Sequence, residues 1–184
     1  DMRAGDVIEC YRVEEIARQT RATTLRRATD AAERARFWLG RKSAFPAVGR
    51  ISPDYYCIDG TIPRGRLAEV LARMRELSAH HGLNVANVFH AGDGNLHPLI
   101  LYDAGKAGDL EKTEALAADI LRLCVEVGGV LSGEHGIGVE KRDLMGVMFG
   151  EDDLKQQQRI KCAFDPEGLL NPGKVFPVLH RCAE

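Results

Sequence analysis

Two apolar runs, residues 83–90 and 96–102, are separated by only Ala91-Gly92-Asp93-Gly94-Asn95. A gap this short and this rich in glycine joins strands that lie side by side and antiparallel. Glycine supplies positive φ, and Asp and Asn close hydrogen bonds onto their own backbone. The turn therefore fixes a hairpin, and the rest of the chain must supply what covers it.

The flanking segments do so in a regular order. Tyr55-Tyr56-Cys57-Ile58-Asp59-Gly60-Thr61-Ile62 is aromatic and β-branched and reads as a strand. Residues 64–81 place Leu67, Val70, Leu71, Met74 and Leu77 at helical spacing. Residues 109–127 do the same with Leu110, Ala117, Ile120, Leu121 and Cys124, and Gly128-Gly129 stops that helix before a short strand at Val130-Leu131. The order β-α-β-β-α-β predicts an α+β fold of the ferredoxin-like kind, an antiparallel sheet with its helices on one face. On the N-terminal side, residues 11–39 lack Pro and Gly and read as a long helix stopped by Gly40, followed by an irregular loop over 41–54. Beyond residue 138 the chain is helical again and ends in a Pro/Gly-rich tail over 165–177. The expected division is 1–42, an N-terminal helix and loop; 43–138, the sheet domain; and 139–184, a helical C-terminal segment.

Composition narrows the function classes. Apolar residues make up 45% of the 184, enough for a packed core. A net charge of −2 gives no reason to expect a nucleic-acid partner. Residues 1–50 carry eleven Lys/Arg against seven Asp/Glu, a mild basic excess that suits a solvated helix face. Cys10, Cys57, Cys124, Cys162 and Cys182 are odd in number and contain no C-x-x-C. That pattern argues against a disulfide framework and a cysteine metal site, and it suits a reducing cytoplasmic setting. No apolar run reaches the roughly 20 residues of a membrane-spanning helix.

Chemistry concentrates in two turns. In His90-Ala91-Gly92-Asp93-Gly94-Asn95-Leu96-His97 a histidine closes one strand and another opens the next. Adjacent strands lie about 4.8 Å apart, so both imidazoles can converge on one point. In Gly133-Glu134-His135-Gly136-Ile137-Gly138 a carboxylate and an imidazole stand side by side between glycines. This is not the dinucleotide fingerprint, because the glycine spacing does not fit it. Two histidines and a carboxylate leave open positions on a cation, and a further histidine suits proton abstraction. The spacing equally permits hydrogen-bonded turn histidines that hold no ion. Asp93 reads as a turn-former, His80 and His81 as cations suited to a helix C-terminus, and His180 as a surface residue.

His90-Ala91-Gly92-Asp93-Gly94-Asn95-Leu96-His97-Pro98, Ser132-Gly133-Glu134-His135-Gly136-Ile137-Gly138 and Leu169-Leu170-Asn171-Pro172-Gly173-Lys174 resemble the signature stretches of the C-terminal domain of FAD-linked oxidases. Within that family the chain resembles the glycolate-oxidising branch, and more distantly D-lactate and D-2-hydroxyglutarate dehydrogenases. Gly40-Arg41-Lys42-Ser43-Ala44-Phe45-Pro46-Ala47 and the stretch 52–63 add to the match. The resemblance implies an FAD-dependent 2-hydroxy-acid dehydrogenase that transfers hydride to flavin. It implies metal ligands at His90, His97 and Glu134, holding zinc, manganese or iron. The proton-abstracting base falls on His135. Arg41 would bind the substrate carboxylate, with Lys42 and Arg50 as weaker matches, and Asn171 would approach the flavin. The flavin itself would be held by an N-terminal FAD domain of which no trace is found in these residues. The chain is therefore expected to be a fragment, inactive alone. Implied partners are that FAD domain, a small 2-hydroxy acid, and further oxidase subunits, one bearing iron–sulfur clusters. Implied location is the cytoplasm, peripheral to the inner membrane. Two other classes fit the spacing: a non-catalytic ferredoxin-like module that binds a metal or a partner, and a zinc hydrolase. Neither explains both the His135–Glu134 adjacency and the C-terminal tail.

Overall fold

The computed structural model describes residues 23–24, 26–90 and 92–177. The chain divides into an N-terminal unit, Asp1–Ser43, and a larger unit, Ala44–Glu184. In the first, helix α1 spans Ala31–Lys42. Asp30 caps it by accepting the Glu33 amide, and the Glu33 carboxylate reaches back to the Thr29 amide. Such reciprocal bonds satisfy donors that a helix start leaves unpaired. Residues 11–22 and 25 of the long helix expected over 11–39 lie outside the described residues, and the described residues 23–24 and 26–30 are not helical, so within the described part the helix begins only at Ala31. The expected stop at Gly40 is incorrect, since α1 runs on through it to Lys42. Gly40 is not among the glycines with positive φ, the backbone state that would have ended the helix there.

The second unit begins with a short helix, α2 (Ala44–Val48), where a loop was expected. Pro46 is tolerated because it sits in the first turn, whose amides have no helical acceptor. The sheet follows as β1 (Asp54–Cys57), β2 (Gly60–Thr61), β3 (Asn84–His90) and β4 (Asn95–Tyr102). Helix α3 (Leu67–His81) precedes β3, and α4 (Asp109–Glu126) follows β4. The chain continues through a short helix, α5 (Met145–Met148), to α6 (Glu151–Phe164).

Every ladder is antiparallel: β4 pairs with β3 on one side and with β1 and β2 on the other. The single strand expected over 55–62 is thus interrupted, although Cys57↔Leu99 and Gly60↔Leu96 keep one register across the gap. Pro98 is the reason. It accepts from the Ile58 amide at 3.2 Å but has no N–H to return. The fourth strand expected at Val130-Leu131 is reduced to one bridge, Thr61↔Val130. The α+β class and the antiparallel sheet hold; the full six-element ladder does not form.

Alternation along β4 sorts its two faces. Leu96 and Ile100 meet Ile58, Ile62, Val70, Met74, Leu116, Ile120 and Cys124 in the core under α3 and α4. Leu99 and Leu101 face the other way, against Val48, Phe45, Ala86 and Val88. His97 shares the parity of this second face, so the functional turn belongs to the side of the sheet that α3 and α4 do not cover. A third cluster, Leu121, Leu131, Leu144 and Met145, ties α4 to the C-terminal segment. Cys162 on α6 is disulfide-bonded, whereas Cys57 and Cys124 are free thiols. Among the described residues no helix is long and apolar enough to cross a membrane.

Candidate active site

The register of the hairpin places His90 opposite Asn95 and His97 opposite Val88. Residues directly opposite share a face, and diagonal neighbours remain within reach of long side chains. The two imidazoles therefore meet, with ring centroids 5.4 Å apart. Glu134 arrives from the loop after the Val130 bridge. Its Oε1 lies 2.5 Å from His97 Nε2 and 4.0 Å from His90 Nε2, and Asn95 Nδ2 donates to the same oxygen at 3.3 Å. One donor atom from each of His90, His97 and Glu134 falls within 4.8 Å of the others. Asp93 is not in that group; its amide closes the turn onto the His90 carbonyl at 3.0 Å.

The burial of the three is uneven. His97 is 4% exposed, whereas His90 and Glu134 are open to solvent. His97 Nδ1 is buried with no hydrogen-bond partner, so the ring's only polar engagement is through Nε2, toward Glu134. A buried imidazole that spends its one engaged nitrogen on a carboxylate, with a second imidazole alongside, fits a divalent cation of the zinc, manganese or iron kind. His90 and Glu134 border an open cleft of about 400 Å³, also lined by Thr61, Asp93, Asn95 and Gly133, with the buried His97 ring behind them. His135 lies beside it: its ring stacks on that of His97 at 5.1 Å and 18°.

The loop that carries Glu134 and His135 is folded around Asp59. Asp59 is wholly buried, and its carboxylate accepts the Ser132 hydroxyl at 2.6 Å. It also accepts the amides of Gly133, Glu134 and His135 at 3.0, 3.0 and 2.8 Å. Three successive amides turned toward one anion form a nest. Lys141, 4% exposed, completes the pair by donating to the Asp59 carbonyl at 2.7 Å, with its ammonium 3.4 Å from the carboxylate. Burial by itself raises the Asp59 pKa. The Ser132 hydroxyl, the two amides of His135 and Glu134 and the Lys141 charge outweigh it, and hold the carboxyl below the ordinary carboxylate range. Burial pushes the Lys141 ammonium down, against the pull of Asp59.

Gly133 has no room for a side chain, because a Cβ there would enter the space of Asn95 Oδ1 and Thr61 Oγ1. Thr61 and Asn95 in turn face each other across β2 and β4. Asp59, Lys141 and Ser132 were given no role by sequence reasoning, and Asn95 only a turn-forming one. One signal was present: an acid in the middle of an otherwise apolar β-forming run, at Ile58-Asp59-Gly60.

The remaining expected residues lie elsewhere. Arg41 is in the last turn of α1, in the N-terminal unit. Asn171 does not end a helix, since α6 stops at Phe164; it is an exposed tail residue with φ of 47°. That tail is anchored to the loop after Gly138, by the Val175 amide on the Gly138 carbonyl at 2.8 Å and by Arg142 Nη1 on the Gly173 carbonyl at 2.9 Å. His81 pairs with Asp119 of α4 at 2.9 Å, the structural part expected of it. His180 lies outside the described residues.

A two-histidine, one-carboxylate cluster with an adjacent imidazole, on the open face of an antiparallel α+β sheet, is accompanied by a sequence match over residues 4–175 to the family of FAD linked oxidases, C-terminal domain. The chain belongs to this family. It is 60% identical over 176 residues to the glycolate oxidase subunit GlcD of Escherichia coli K12, covering 96% of this chain and 35% of that one. It is 31% identical over 165 residues to the Bacillus subtilis subunit of the same name, covering 90% and 35%. It is also 31% identical over 172 residues to the mitochondrial cytochrome-type D-lactate dehydrogenase of Kluyveromyces lactis, covering 90% and 29%. The chain thus spans about a third of the length of the curated relatives it matches.

Proposed function

We propose that the chain is the substrate-side C-terminal part of an FAD-dependent dehydrogenase of small 2-hydroxy acids, with glycolate the first candidate substrate. The observation that carries the reading is the convergence of His90, His97 and Glu134 with the His135 ring stacked on His97. The 60% identity to a glycolate oxidase subunit supports the substrate class.

His90, His97 and Glu134 hold a divalent cation in this reading, which when bound lowers the pKa of a hydroxyl placed against it. His135 takes the hydroxyl proton. Its exposure keeps it able to pass that proton on to solvent. Arg41 clamps the substrate carboxylate through its planar fork, a role carried over from the family resemblance. FAD, held chiefly by a further domain, would serve as the two-electron acceptor, and Asn171 would approach it, a role carried over from the family resemblance. The word "subunit" in the relatives' names supports assembly with other chains, to which we add an iron–sulfur subunit in a cytoplasmic complex at the inner membrane face.

The protein at full natural length tests this. Anaerobic addition of glycolate is expected to bleach the flavin, and His135→Ala is expected to slow that bleaching by roughly 10²–10⁴-fold. Bleaching at the unaltered rate in His135→Ala would remove His135 from the chemistry.

A further inference from the structure

Glu134 and His135 are adjacent in sequence, yet both side chains converge on one imidazole: Glu134 Oε1 on His97 Nε2, and the His135 ring stacked on the His97 ring. Neighbouring residues in an open loop have no intrinsic reason to do this. Here the loop backbone is fixed from beneath. Asp59 lies in the gap between β1 and β2, and the register those two strands share sets it across from His97 on β4. Its carboxylate receives the amides of Gly133, Glu134 and His135 and the Ser132 hydroxyl. The Ser132 oxygen also accepts the Gly136 amide at 2.7 Å, so the clasp extends one residue past His135. Asp59 does not line the cleft, and among the described residues its carboxylate makes no hydrogen bond to a side chain of the proposed ligands.

We propose that Asp59 is a positioning residue for the site: through the Ser132–Gly136 backbone it sets where Glu134 and His135 point relative to His97. Lys141 holds the Asp59 carboxylate in place and supplies its counter-charge. The inference rests on the function proposed above, and extends it to a buried anion that organises the catalytic loop. An acceptor-only carboxylate is the group this clasp requires, because every partner it meets is a donor. Asparagine at position 59 would turn an amide N–H toward donors and open part of the nest. The competing account is that Asp59 exists only to neutralise buried Lys141.

The test uses the protein at full natural length, with Asp59→Asn, Lys141→Met, the double variant and Ser132→Ala. The first readout is the ring resonances of histidines labelled at Cε1. Asp59→Asn is expected to shift those of His97 and His135, which sense each other's ring currents, while His80 and His81 on α3 stay in place. The second is cobalt(II) affinity, expected to fall about 10- to 100-fold, the range for a group that orients ligands without binding the ion. The third is kcat for glycolate, expected to fall more than KM rises. Full restoration in the double variant would overturn the proposal in favour of charge neutralisation. So would His97 and His135 resonances at wild-type positions in Asp59→Asn. If Asp59→Asn does not yield folded protein, Ser132→Ala decides: it keeps the Asp59–Lys141 pair but removes the hydroxyl clasp, and unmoved resonances there overturn the idea. Failure of the wild type to bind cobalt or oxidise any hydroxy acid would sink the proposed function instead, and the histidine resonances would still decide the part played by Asp59.

Discussion

His97 shows how one residue can carry a site. It is buried because it lies mid-sheet on β4, and its Nε2 is committed to Glu134. His90, one diagonal step away at the mouth of the hairpin, is open to the cleft. The pairing gives one rigid donor and one accessible donor, as the ion-holding site proposed above would require. The Arg41 guanidinium is a planar fork that lysine does not reproduce. Arg41→Lys in the full-length protein is therefore expected to raise KM for glycolate by about tenfold or more, the loss of one charge-assisted bond worth roughly 1.5–3 kcal/mol. Steady-state kinetics check this, and an unchanged KM would take Arg41 out of substrate binding.

At the scale of elements, the loop over 132–138 and the helix ends show where backbone is constrained. A Cβ at Gly133 would collide with Asn95 and Thr61, so Gly133→Ala must push the loop off the hairpin. It is expected to cost about 1–3 kcal/mol, the range for overpacking, and to displace Glu134. Gly82 differs: it closes α3 with φ of 66°, its amide bonded to the Ala79 carbonyl, and a Cβ there would meet open space. Gly82→Ala is expected to cost about 1 kcal/mol through left-handed strain alone, with no effect on the site. Urea midpoints and cobalt affinity separate the two, since Gly133→Ala should lower both and Gly82→Ala only the first. Pro98 could be read in the sequence, but which neighbour it fails depends on register, and register became visible only with the sheet.

For the molecule as a whole, titration offers a readout independent of activity. Tyr56 on β1 is pushed up to about 12, first by partial burial and then by the negative charge and hydrogen bond of Glu140. A free tyrosine titrates near 10, so the unfolded chain releases this proton first. The contribution to stability is whole below about pH 10 and is lost as pH rises through the folded value. Absorbance of tyrosinate should show one late-titrating group that disappears in Tyr56→Phe. Much of this protein was legible in its sequence because the signals are local. Periods of two and 3.6 placed α3, β3, β4 and α4, and a short glycine-rich gap fixed the hairpin that brings His90 to His97. The family motifs singled out Glu134 and His135, which lie beside them. Only the tertiary structure decided what holds that second pair. Asp59 and Lys141 are separated by 82 positions, and nothing in either neighbourhood marks them as partners. Their role comes from burial, where an anion must find donors and a cation an acceptor, and the loop that carries Glu134 and His135 supplies them.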